Sequence, residues 1–246
     1  YSRDEGDFHA SYIRRGMGVI TFDFVYPEGT IRNIPLGVPV EINIENAVAA
    51  LAACYLSGDF DAMKAREAIS TFQGAERRFQ KVFEGTGEDK RVVIDDYAHH
   101  PDELRASIQS VKELYPGRRL TVAFQPHLYT RTRDFAKEFA QALSLADEVI
   151  LIDIYPAREE PMPGVTSEII FDRINVEKKK LIPLKDLIST VKNSNFDILL
   201  TAGAGDIGTQ VPRNKSTRLS PYLTSESNIY KSCPRKPSYD VCSPCS

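Results

Sequence analysis

The chain has 246 residues, 42% of them hydrophobic, and a formal net charge of -3. That length and apolar share are enough for a core in one large or two modest domains and exclude a chain disordered throughout. The slight acidity excludes a nucleic-acid or polybasic membrane surface as the main partner. No apolar run approaches the roughly 20 residues that span a bilayer, and Tyr1-Ser2-Arg3-Asp4 does not open a signal peptide. Cys54 sits in an apolar helix while Cys233, Cys242 and Cys245 crowd the end, too lopsided for a disulfide scaffold, so a reduced, cytoplasmic setting is expected. The chain starts on Tyr with strands following almost at once, and is expected to be a fragment of a longer protein.

In chain order, residues 8 to 40 alternate and turn as antiparallel strands do, with Pro27-Glu28-Gly29 as a turn. The Ala-rich run from 43 to 56 predicts a helix capped by Asn43, and 61 to 72 predicts another. From Arg91 the character changes. Apolar runs at 91 to 94, 119 to 124, 148 to 154, 180 to 184 and 196 to 201 alternate with helical patterns at 101 to 115, 131 to 146, 166 to 174 and 185 to 193. Such alternation predicts an α/β fold whose sheet is mostly parallel with helices on its faces. Gly85-Thr86-Gly87 reads as a tight turn, since no helix follows Lys90 and the Gly-Lys-Ser/Thr ending of a phosphate loop is missing. The predicted domains are 1 to 84, 85 to 207, and a polar, Ser- and Pro-rich tail from 208 to 246.

Chemistry collects where predicted strands end. The first ends in "DDYAHHP" (95 to 101), the second in "QPHLYTRTR" (125 to 133), the third in Asp153 to Glu160, the fifth in "TAGAGD" (201 to 206). In open α/β sheets ligands bind outside the carboxyl ends of the strands, so these clusters predict one cleft. Each has a plainer reading. Asp95 and Asp96 are candidate caps of the next helix, and adjacent His99 and His100 favour one site-facing ring and one capping or outward neighbour over a metal pair. Arg131, at the predicted start of a helix, opposes the helix dipole and wants an anionic partner. "GAGDIG" (203 to 208) matches a dinucleotide fingerprint, yet Pro212 and a polar tail follow, so its glycines are expected to let backbone approach a ligand or a neighbouring loop. Cys242, Cys245 and Cys233 make a weak zinc set, and no metal ligands are assigned.

In combination, "NIENAVAA" (43 to 50), "FQGAERRFQ" (72 to 80), "DDYAHHP", "FQPHLYTRT" (124 to 132), "GVTS" (164 to 167) and "GAGD" resemble the ATP-dependent Mur ligases of peptidoglycan synthesis, over about residues 1 to 207. The resemblance implies a Rossmann-like C-terminal domain preceded by part of a central, ATP-binding domain. It implies ATP and Mg²⁺ as cofactors, and UDP-N-acetylmuramate and L-alanine as substrates joined through an acyl phosphate. By the same resemblance Asn43 and Asn46 lie by the nucleotide base, Arg78 near the phosphates and Asp96 by the ribose, while Tyr97, His99 and Arg131 face the amino acid. The chain departs from the family at Leu128, where Arg is usual, and at Ile42, where His is common. The UDP-sugar domain and the phosphate loop are absent, so the missing N-terminal half is an expected partner and the chain alone is expected to be inactive. Other readings are a peptide-recycling muramate ligase, a non-catalytic nucleotide-binding remnant, and a zinc hydrolase using His99, His100 and Asp96.

Overall fold

A computed structural model describes residues 1–58, 60–85 and 88–211. Two sheets organise them. Strands β1 (His9–Gly16), β2 (Val19–Tyr26) and β3 (Gly29–Pro35) form an antiparallel meander in sequence order. Helices α1 (Ile42–Leu56) and α2 (Ala62–Thr71) come next. The second sheet contains β4 (Gln80–Glu84), β5 (Val92–Asp96), β6 (Leu120–Phe124), β7 (Glu148–Ile152), β8 (Lys178–Ile182) and β9 (Ile198–Ala202) in the order β4-β5-β9-β6-β7-β8. Only β4 runs antiparallel to its neighbour. The mostly parallel α/β architecture expected from the alternation is therefore present, and β4, a short edge strand before the apolar run at 91, shares a sheet with the five strands after it.

Strands buried on both faces read as continuous apolar runs because side chains alternate between two covered surfaces. Val92, Ile94, Val122 and Leu200 face one core, with α3 (Pro101–Leu114), α5 (Ala136–Leu143) and α6 (Glu168–Phe171). Val93, Ala123, Ile150 and Leu199 face the other, with Leu187 and Val191 of α7 (Leu187–Lys192). The first core runs unbroken into the meander through Ile20 and Phe22 and into α1 through Ile44 and Val48. The joint is tight: the Gly18 N–H donates to the Leu114 carbonyl at 3.0 Å, and a Cβ at Gly18 would come within 2.7 Å of the Tyr115 hydroxyl. Burial pushes that phenol up to about 12.

Several local expectations need correction. Asn43 does not cap α1; the helix begins one residue earlier with Glu41 at the cap position and no side-chain cap bond. Asn43 instead donates its amide to the Val38 carbonyl at 3.1 Å, tying the helix start to the preceding segment. The helix read over 131 to 146 is two, α4 (Tyr129–Asp134) and α5, separated at Phe135, whose φ of -118 leaves the helical range. Asp61 caps α2, accepting from the N–H groups of Met63 and Lys64. The turn at Thr86 and Gly87, and the tail from 212 with Cys233, Cys242 and Cys245, lie outside the described residues.

Candidate active site

The chain passes from β5 through β6, β7 and β8 and returns to place β9 between β5 and β6. The carboxyl ends of these three neighbours meet where the strand order reverses, the position at which open α/β sheets form a crevice. β5 delivers two buried carboxylates in succession, and the pleat sends them in opposite directions. Asp95 accepts from Arg77 Nε at 2.9 Å and from the Thr201 hydroxyl at 2.7 Å. The same guanidinium donates through Nη2 to the Gly203 carbonyl at 2.6 Å. Asp95 is thus a structural clamp joining the segment before β4 to β5 and β9. Asp96 accepts from the Ser107 hydroxyl on α3. Burial pushes its carboxyl above the usual range, with the bonds from Ser107 and the Phe79 N–H opposing the shift.

Neither aspartate caps α3. His100 does, its Nδ1 accepting from the Asp102 N–H at 3.4 Å, with Pro101 opening the helix and Glu103 completing a capping box. Glu103 Oε2 accepts from the N–H groups of His99 and His100 at 3.0 and 3.2 Å. Burial alone would raise this carboxyl, but those N–H groups and the Arg78 charge hold it below its usual range. The two histidines diverge: the His100 ring packs edge-on against Phe135 at 5.1 Å, while the His99 ring lies 5.3 Å from Tyr97 and 6.1 Å from His127. Among the described residues no group of three His, Cys, Asp or Glu converges as metal ligands, so His99, His100 and Asp96 do not build the site a zinc hydrolase needs.

The loop after β6 meets the loop after β7. His127 stacks on Tyr155 at 5.6 Å, the Leu128 N–H donates to the Tyr155 carbonyl at 2.9 Å, and Glu159 accepts from the Thr130 N–H at 3.0 Å and from its hydroxyl. Leu128 holds a φ of 72, a backbone conformation that costs a non-glycine residue about 1–3 kcal/mol. Arg131 is the third residue of α4, which begins two residues earlier at Tyr129, and its Nη1 comes within 3.5 Å of His127 Nδ1. Burial lowers the His127 pKa, with the Arg131 charge adding to the effect, and both favour the neutral ring.

A cavity of about 360 Å³ opens beside the first loop, lined by Asn43, Arg78, Asp96 and Glu103 and by the apolar Val40, Ile42, Phe79, Ala98 and Ala106. The guanidinium groups of Arg77 and Arg78 lie 5.2 and 5.6 Å from the centre of the Tyr97 ring, and of the two Arg78 lines the cavity. The structure thus gathers Asn43, Arg78 and Asp96 around one cavity and strings Tyr97, His99 and, through His127, Arg131 along the adjoining rim. Asn46 is not in that lining: it donates to Asn43 Oδ1 at 3.1 Å, and the two asparagines line a second, apolar cavity of about 320 Å³ beside α1 and α2. Sequence reasoning misses the roles of Glu103, His127 and Tyr155, although His127 and Tyr155 lie in strand-end loops and Glu103 in the first turn of helix after one. Nothing in adjacent Arg77 and Arg78 tells which becomes buried against Asp95.

The glycines of "GAGD" serve a neighbouring loop. Gly203 has a φ of 136, and a Cβ there would meet the Gln125 carbonyl at 2.6 Å; one at Gly205 would meet Gln125 Oε1 at 2.5 Å and Tyr155 Cβ at 2.6 Å. A 3₁₀ turn at Asp206–Thr209 comes next, and the Ile207 N–H donates to Gln125 Oε1 at 2.8 Å. No helix among the described residues is long and apolar enough to cross a membrane.

Comparison with known proteins shows what the chain is similar to. The family model described as Mur ligase, glutamate ligase domain matches residues 77–205. The UDP-N-acetylmuramate--L-alanine ligase of Phocaeicola vulgatus is 50% identical over 214 residues, 87% of this chain and 46% of that protein. The ligase of the same name from Parabacteroides distasonis is 54% identical over 201 residues, 82% of this chain and 43% of its own length. Among solved structures, the UDP-N-acetylmuramate-alanine ligase of Thermotoga maritima superposes with a TM-score of 0.68 at 28% identity, over 85% of this chain and 45% of that one. A folylpolyglutamate synthase from Thermotoga maritima, at 19% identity and a TM-score of 0.64, shares the fold. The chain spans somewhat less than half the length of these relatives. With the family model covering the second sheet and just over half of the chain, the chain belongs to the Mur ligase family.

Proposed function

We propose that this chain is the part of an ATP-dependent ligase that, together with the half its relatives have in addition, joins L-alanine to UDP-N-acetylmuramate in the cytoplasm. The observation that carries the reading is the junction at Arg78 and Tyr97, where a cavity suited to a nucleotide runs into a rim suited to an amino acid. The cavity has the size and makeup of a small-ligand site. Its apolar wall suits a base, Asn43 can read the base edge, Asp96 can take ribose hydroxyls, and Arg78 can meet phosphate oxygens. Asn46 acts through Asn43, holding its amide in orientation. Bound ATP supplies the phosphoryl group that converts an unreactive carboxylate into an acyl phosphate. Mg²⁺ would come in on the phosphates, since among the described residues no group of three His, Cys, Asp or Glu gathers as ligands.

On the rim, Arg131 is the mate for the amino acid's carboxylate, and neutral His127 leaves it without a competing cation in contact. Tyr97 and His99 flank the position of the amine, and fixed donors around the transferring group stabilise its charge. The division into a central-domain portion and a C-terminal domain follows this chemistry, and we place the boundary ahead of Arg77, because the clamp to Asp95 makes the segment from there onward part of the second body.

The test supplies the missing half in trans and follows phosphate release and amide formation from UDP-N-acetylmuramate with L-alanine or with a tripeptide as acceptor. Alanine-dependent product supports the assignment. Preference for the tripeptide would favour a peptide-recycling ligase, and nucleotide binding with no amide formed would leave a non-catalytic remnant.

A further inference from the structure

The Glu of a capping box ordinarily reaches back to one backbone N–H. Glu103 does more: after accepting from two backbone N–H groups, its Oε2 lies 3.3 Å from His99 Nδ1. The Tyr97 carbonyl lies 3.0 Å from the same ring nitrogen. Two acceptors, one of them charged, converge on one nitrogen. A lone pair there would face two others, so Nδ1 must carry the proton, whereas a histidine free in water favours the Nε2–H form.

We propose that Glu103 is a positioning residue which, with the Tyr97 carbonyl, holds His99 in the Nδ1–H tautomer and so presents Nε2 as the proton acceptor for the incoming amine. This rests on the reading of the rim as the amide-forming site. In the step, an N–H bond of the substrate ammonium breaks, its proton forms a bond to Nε2, and the electron pair stays on the amine nitrogen, which becomes the nucleophile. The imidazolium that results is stabilised by the Glu103 carboxylate at its far side, as a buried carboxylate does for a catalytic imidazole in other enzymes. Glu103 touches no reacting atom; it lines the nucleotide cavity as well, so one side chain couples the two halves of the site.

The experiment is ¹⁵N NMR of the histidine rings in the full chain at neutral pH, with His99 assigned by loss of its signals in His99→Gln. The expected result is Nδ1–H as the major form in the wild-type chain. Loss of one charge-assisted bond in Glu103→Ala should lower the Nδ1–H to Nε2–H ratio about tenfold or more. Glu103→Gln keeps an acceptor for the two backbone N–H groups, preserving the turn, and should lower the ratio severalfold by removing the charge. A wild-type ring mainly in the Nε2–H form, or a ratio unchanged in both variants, overturns the proposal. Failure to form amide in trans with the tautomer as expected would sink the ligase reading and with it the role of Nε2 towards the amine, while the hold of Glu103 on the ring would stand.

Discussion

Replacing Arg77 by Met removes the cation from a carboxylate whose side chain is only 3% exposed. Arg77 Nε and Nη2 make charge-assisted bonds to Asp95 and to the Gly203 carbonyl. Losing two such bonds at about 1.5–3 kcal/mol each agrees with the about 3–5 kcal/mol typical of breaking a buried pair from one side. The loss is large because Asp95 is left charged with the Thr201 hydroxyl as its remaining partner there. Urea denaturation of the full chain reads it directly, and for a folded unit of this size the melting temperature should fall by roughly 6–20 °C. The double variant Arg77→Met with Asp95→Leu should recover much of the loss, because a pair exchanged for apolar groups no longer strands a charge. A single-variant cost below about 1 kcal/mol, or a double variant worse than the single, would refute the clamp.

Asp96→Asn should change the pH dependence of stability. A carboxyl raised above its ordinary value near 3.8 binds more protons folded than unfolded, so its contribution falls as pH rises through the window between the two values. The variant should lose that slope in melting curves between acid and neutral pH and be more stable than wild type at neutral pH; an unaltered slope contradicts the burial argument. Gly18→Ala drives a Cβ towards the Tyr115 hydroxyl at a φ of 77, with an expected cost of about 1–3 kcal/mol. Hydrogen exchange at residue 18, bonded to the Leu114 carbonyl, should accelerate, and unchanged protection would show that the joint does not depend on this contact. Gly205→Ala wedges a methyl between Gln125 and Tyr155, an overpacking worth about 1–3 kcal/mol. The His127 ring signals should shift as its stack on Tyr155 loosens, and identical signals would place that stack under other control.

The sequence by itself determined the five parallel strands of the second sheet and the loops at their ends, while β4 went unread. β-branched runs such as Val92 to Ile94 extend, apolar spacing at Leu104, Ile108 and Val111 coils, and reactive side chains fall in the loops between, because only there can the backbone give up its repetitive bonding. Tertiary structure alone decided which neighbour of a pair does what. Asp95 and Asp96, Arg77 and Arg78, and His99 and His100 are alike as residue types. A pleat, a buried ion pair or a helix start turns one into a clamp or cap and leaves its neighbour free to line the site. The break at Phe135, the helix that starts at Ile42 ahead of Asn43, and the neutral ring of His127 likewise follow from what packs against them. Partners brought from a hundred residues away, as Thr201 is to Asp95, leave no trace in local pattern, since the free energy of such contacts exists only once the sheet has closed.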